Sequence, residues 1–166
     1  KDKWERGVVK YDLNSKTFTN LRLDSNLYTD LHVSKDGSRF FYNISDGNLP
    51  NNLYVSSVNF EEAKQLTNLN SWITSKKITR TELIKYRDAD GIELNGVLYY
   101  PIDYEEGKKY PLVCEIYETF FDNGFRTSMN MVANEGYFGF RPSVTLEKGY
   151  PGEAWIKGIT SGINKL

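Results

Sequence analysis

The chain has 166 residues and a formal net charge of −1, so electrostatics favours neither nucleic acid nor an anionic membrane as a partner. Aromatic residues make up 14%, which suits strands with one wet face, and no apolar run approaches the roughly 18 residues that cross a bilayer. A single cysteine, Cys114, excludes an internal disulfide, and with one histidine, His32, it leaves no metal-ligand cluster. No metal or other cofactor is expected.

Residues 1–72 read as short strands separated by polar turns. "GVVKYDLNSKTFTNL" gives a strand through Tyr11, a turn at Asn14-Ser15-Lys16 and a strand to Leu21. "LHVSKDGSRFFYNIS" gives two strands around Lys35-Asp36-Gly37, with the Asp-Gly chemistry of a hairpin. "NNLYVSSVNFEEAKQLTNL" gives another pair, ending at Leu66. The first and last segments are alike: Val9 matches Tyr54, Leu13 matches Val58, Asn14 matches Asn59 and Leu21 matches Leu66, each offset by 45 residues. Four short strands in such a period are the pattern of a β-propeller blade, although two similar hairpins of a meander give the same match. A blade does not bury both faces alone, so neighbouring blades are expected upstream of Lys1.

Residues 73–80, within the polar run "TSKKITR", read as a linker. Residues 81–166 change grammar. Strand Glu82–Tyr86, turn Asp88-Ala89-Asp90-Gly91 and strand Glu93–Tyr100 form a hairpin that Pro101 closes. Leu112–Tyr117 reads as the next strand, and "RTSMNMVANEG" as a short helix stopped by Gly136. "YFGFRPSV" is a further strand ending near Pro142. The last segment is helical: Pro151 and Glu153 suit its start, and Trp155, Ile156, Ile159, Ile163 and Leu166 share one face. Gly158 and Gly162, four apart, predict close approach of that helix to a sheet. Hairpin, strand, helix, strand, helix is the order of an α/β layer with an antiparallel start.

The chemistry is sparse. No Gly-x-Ser-x-Gly elbow is present, since Ser128, Ser143 and Ser161 lack the flanking glycines, and His32 lies in the first half. No phosphate-binding glycine loop appears. Cys114 reads as a buried, inert thiol in mid-strand. Tyr117 stands apart, because it ends a core strand and precedes a loop and a helix. In a hydrolase-type sheet that loop supplies part of an oxyanion hole, which a phenol can serve as donor. A strand-end tyrosine half-packed on the sheet fits the same spacing.

Over nearly its full length the chain resembles the prolyl oligopeptidase family of serine peptidases, especially its bacterial dipeptidyl-peptidase-like and acylaminoacyl-peptidase-like branch. "VSKDGSRFFYNIS" is similar to the family's propeller strand pair, and "LTNLNSW" to the exit from the last blade. "ELIKYRDADGIELNGVLYYPIDYEEGKKYPLVCEIY" is similar to the opening strands of the catalytic domain. "GYFGFRPSVTLEKGYPGEAWIKGITSGINKL" is similar to the strand, loop and helix before the nucleophile. The resemblance implies a β-propeller blade (all-β) followed by the N-terminal part of an α/β-hydrolase domain. It also implies hydrolysis of short peptides by a Ser/Asp/His triad, with the Tyr117 hydroxyl donating to the oxyanion.

Two positions depart from the family pattern. Glu118-Thr119-Phe120-Phe121 stand where small residues and a proline are common, and Ser143 stands where an aspartate is common. The triad is expected beyond Leu166, which makes this chain an inert piece of its parent. A non-catalytic binding protein of the same architecture and an esterase on the same fold are the alternatives. The partners implied are a short peptide and the remainder of the parent chain, with no nucleic acid and no membrane. Compartment, self-association and cleavage preference stay open.

Overall fold

The computed structural model describes residues 5–117, 122–146 and 148–166. The chain divides into two compact units, Lys3–Lys76 with Asn123–Phe125, and Lys77–Asp122 with Arg126–Leu166.

In the first unit, β1 (Arg6–Asp12) and β2 (Thr17–Asp24) form an antiparallel hairpin. Its turn is held by the Asp12 carboxylate, which accepts the Asn14 and Ser15 N–H groups at 2.9 and 2.8 Å. A four-stranded antiparallel meander follows in chain order: β3 (Leu27–Val33), β4 (Arg39–Ser45), β5 (Asn52–Ser57) and β6 (Lys64–Gln65). The Asp36 carboxylate ties the β3–β4 turn by accepting from both Ser34 and Ser38. Tyr42 and Phe60 are the buried aromatic centre, their rings stacked at 4.8 Å. The 45-residue offset carries the pairing as well as the residues. Val9 faces Asn20 and Lys10 faces Thr19 in the hairpin. Tyr54 faces Gln65 and Val55 faces Lys64 in the meander. The β1–β2 hairpin thus repeats the β5–β6 pair in register.

The second unit holds β7 (Thr81–Arg87), β8 (Glu93–Tyr99), β9 (Leu112–Cys114), α1 (Thr127–Asn134), β10 (Phe138–Pro142) and α2 (Pro151–Lys165). The sheet order is β7-β8-β10-β9, antiparallel except for the parallel β10–β9 pair. The Asp88 carboxylate closes the β7–β8 turn by accepting the Asp90 and Ile92 N–H groups, each at 2.9 Å. Gly136, at φ +82°, ends α1.

The strand predicted over Leu112–Tyr117 ends at Cys114. Glu115 N–H still donates to the Phe140 carbonyl at 3.0 Å, but the next bond of a parallel ladder would need an N–H from Pro142, which proline lacks. Ile116 and Tyr117 therefore leave the sheet.

In α2 the buried edge is Gly158 and Gly162, the pair expected to approach the sheet, while Ile156, Ile163 and Leu166 of the apolar face are exposed. The rings of Phe140 and Tyr86 stand on this face of the sheet. A Cβ at Gly162 would lie 2.8 Å from Phe140 and 3.1 Å from Tyr86, so the helix descends only where it has no side chain.

Alternate strand residues face opposite sides. Phe140 faces α2, over a core of Tyr86, Leu94 and Leu98. Gly139, its neighbour, faces the α1 side, where an added Cβ would meet the Met129 sulfur at 2.9 Å. The two helices therefore cover opposite faces of the sheet, and Arg141 points to the α1 side.

Candidate active site

The chain leaves the carboxyl end of β9 towards α1 on one face, and leaves the carboxyl end of β10 towards α2 on the other. Two adjacent parallel strands whose connections part to opposite faces leave a crevice at their carboxyl ends. In open α/β sheets that crevice is where ligands bind. Tyr117 lies three residues past β9, at this end. The residue is 69% exposed, and its carbonyl accepts the Trp155 indole N–H at 3.0 Å.

Charged residues brace the segment behind it. Arg141 Nε donates to Glu115 Oε1 at 3.0 Å, and the Ser128 hydroxyl donates to Glu115 Oε2 at 2.8 Å. Arg126 Nη2 donates to Asp122 Oδ2 at 2.7 Å, and Arg141 Nη1 lies 3.9 Å from Asp122 Oδ1. The Arg141 side chain is only 10% exposed and that of Asp122 14%. Tyr99 is fully buried beside this group. Burial pushes its phenol above the ordinary range, opposed by the charges of Arg141 and Arg126.

The other candidates fall into structural places. Ser128 is spent on Glu115. Ser143, the departure from the family's aspartate, joins β8 to the end of β10: its hydroxyl accepts the Asn95 N–H at 3.0 Å, its own N–H donates to the Asn95 carbonyl at 2.7 Å, and its carbonyl accepts the Tyr86 hydroxyl at 3.0 Å. His32 is an exposed residue of β3, in the first unit. Cys114 is half-buried at the end of β9, and burial raises its thiol pKa. The departure at Glu118-Thr119-Phe120-Phe121 lies outside the described residues. Among the described residues, no group of three or more His, Cys, Asp or Glu could hold a metal ion, and no helix is long and apolar enough to cross a membrane.

Sequence reasoning singled out Tyr117 but missed Glu115, Asp122, Arg126, Arg141 and Trp155 as its supports. One signal was available. Arg141 interrupts the otherwise apolar strand run "YFGF", where a charge needs a buried partner.

No family model matches the chain. The uncharacterized peptidase YuxL of Bacillus subtilis (strain 168) is 27% identical over 121 residues, which cover 70% of this chain and 18% of that protein. The apo AtxE2 isopeptidase superposes with a TM-score of 0.71 at 16% identity, over 87% of this chain and 22% of its own. The acylaminoacyl peptidase of Pyrococcus horikoshii superposes with a TM-score of 0.70 at 19% identity, over 89% of this chain and 25% of its own. The fold is the one found in peptidases of the prolyl oligopeptidase family, as the sequence resemblance implies. The chain spans a quarter or less of the length of these proteins.

Proposed function

We propose that the chain is part of a serine peptidase acting on short peptides. On this reading residues 1–72 belong to the last blade region of a β-propeller, 73–80 link, and 81–166 open the α/β-hydrolase domain. The observation that carries it is the place of Tyr117, an exposed tyrosine just past the carboxyl end of β9 where the sheet's connections part. The peptidase neighbours and the repeated strand register add support.

The reaction follows from this placement. A serine of the parent protein, beyond Leu166, attacks the scissile carbonyl carbon, and its proton passes to a histidine that an aspartate orients. The carbonyl electron pair moves onto oxygen. The Tyr117 hydroxyl donates to that oxygen, together with a backbone N–H. The negative charge is fully developed only in the tetrahedral state, so the hydrogen bond stabilises the transition state more than the ground state.

Tyr117→Phe in the full-length protein removes the donor and keeps the ring. Turnover should fall by about 10²-fold, as for loss of one oxyanion donor, with thermal stability unchanged. Unchanged turnover would return the tyrosine to a structural role. The gene past Leu166 should show Gly-x-Ser-x-Gly within roughly 10–25 residues, one loop and one strand away. If that elbow is missing, the non-catalytic binding reading replaces this one.

A further inference from the structure

We infer that Arg141 is the positioning residue of Tyr117, acting through its grip on Glu115, two residues before it. The inference rests on the reading of Tyr117 as an oxyanion donor. Arg141 lies on β10, paired with Val97 of β8, and follows Phe140, whose carbonyl accepts the Glu115 N–H, so the sheet fixes its backbone. Its Nε donates to Glu115 Oε1, two residues before Tyr117, at 3.0 Å, whereas Nη1, 3.9 Å from Asp122 Oδ1, makes no hydrogen bond among the described residues. Trp155 of α2 holds the tyrosine carbonyl itself at 3.0 Å. Both anchors, Arg141 of β10 and Trp155 of α2, belong to the sheet layer, while Tyr117 itself is 69% exposed.

Stability alone gives weak reason for this arrangement. An ion pair buried to this degree gains little over apolar packing of similar volume. Arg141 shares the α1 side of β10 with Gly139, where Tyr99 and Met129 already pack, and an aliphatic residue would suit that layer. An arginine instead supplies a planar, pre-organised donor, here aimed through Nε at the Glu115 carboxylate. An oxyanion donor needs that constraint, since a misplacement of about 1 Å costs about 10²-fold in rate.

The test uses the full-length protein and two readouts. The first is a kinetic cycle of Arg141→Met and Tyr117→Phe. Arg141→Met alone should lower kcat by up to about 10²-fold with KM within about twofold, and should add little in the Tyr117→Phe background. Arg141→Lys, which keeps the charge but not the planar donor, should recover part of the loss. The second readout is fluorine NMR of a fluorotyrosine placed at position 117. Its resonance should shift and broaden in Arg141→Met and stay in place in Arg87→Met, a change at an exposed arginine of β7.

Equal losses of kcat in both backgrounds, or an unmoved fluorine resonance, would overturn the inference. If Tyr117→Phe leaves turnover intact, the oxyanion reading fails separately, and the fluorine signal alone decides the positioning. Should Arg141→Met not fold, Glu115→Ala removes the acceptor of the Arg141 Nε–H at a side chain 37% exposed, and the same resonance must move.

Discussion

Ser143 shows how a departure from a family pattern is absorbed locally. Its hydroxyl oxygen is the acceptor for the Asn95 N–H at a site where the residue is 8% exposed. Ser143→Ala removes that acceptor and leaves the part-buried Asn95 N–H without it, at a cost of about 1 kcal/mol, measurable as a lower denaturation midpoint of the full-length protein. Ser143→Asp should cost less in acceptor terms, because the carboxylate can take the same bond. Asp36 works at the surface by the same means. The Ser34 hydroxyl, then the Ser38 N–H and hydroxyl, hold its carboxyl at about 2, below the ordinary 3.8. The folded value is depressed, so its contribution is present above the ordinary value and is lost as pH falls through about 2. An NMR titration of the Asp36 carboxyl should show that midpoint. A midpoint of about 4 would mean that the turn does not bind the charge.

At the scale of elements, α2 gives a prediction whose sign discriminates. In an exposed helix, glycine to alanine stabilises by about 1 kcal/mol. At Gly162 the new methyl would press on Phe140 and Tyr86, both part of the core, and overpacking costs about 1–3 kcal/mol. Gly162→Ala should therefore destabilise the protein, and a gain in melting temperature would show that the helix stands further off. The two glycines were legible because their spacing is local. The exposed flank of Ile156 and Ile163 was not, because which edge of an apolar arc meets the sheet depends on the rings already standing there. The β-hairpins and both helices were legible from turn chemistry and period. The early end of β9 needed its partner, since Pro142 stops the ladder from the neighbouring strand, 27 residues along from Glu115. Tyr117 could be singled out in the sequence because it ends an apolar run. Its supports could not, because Glu115, Asp122, Arg126 and Arg141 meet only once α1 and β10 have folded against β9.

On the scale of the whole molecule, the distribution of exposed apolar groups matters more than any one contact. In the first unit Leu13 of the β1–β2 turn, Phe18 of β2 and Val33 of β3 are 81%, 71% and 56% exposed. In the second unit β9 is an edge of the sheet, with Val113 and Ile116 more than a third exposed beside it. An open edge with apolar side chains recruits other chains, and a repeat unit without neighbours cannot cover both of its faces. If the proposed setting is right, propeller strands and further hydrolase strands of the parent protein cover these surfaces. Residues 1–166 produced alone should then bind a hydrophobic dye, self-associate with rising concentration and lack a cooperative melt. The full-length protein at the same concentration should do none of these. The two outcomes separate because association driven by exposed apolar surface weakens on dilution and in mild denaturant, whereas a fully covered core unfolds in one concentration-independent step. A sharp, concentration-independent transition of residues 1–166 alone would show that these strands need no neighbours, and would count against the propeller and hydrolase setting together.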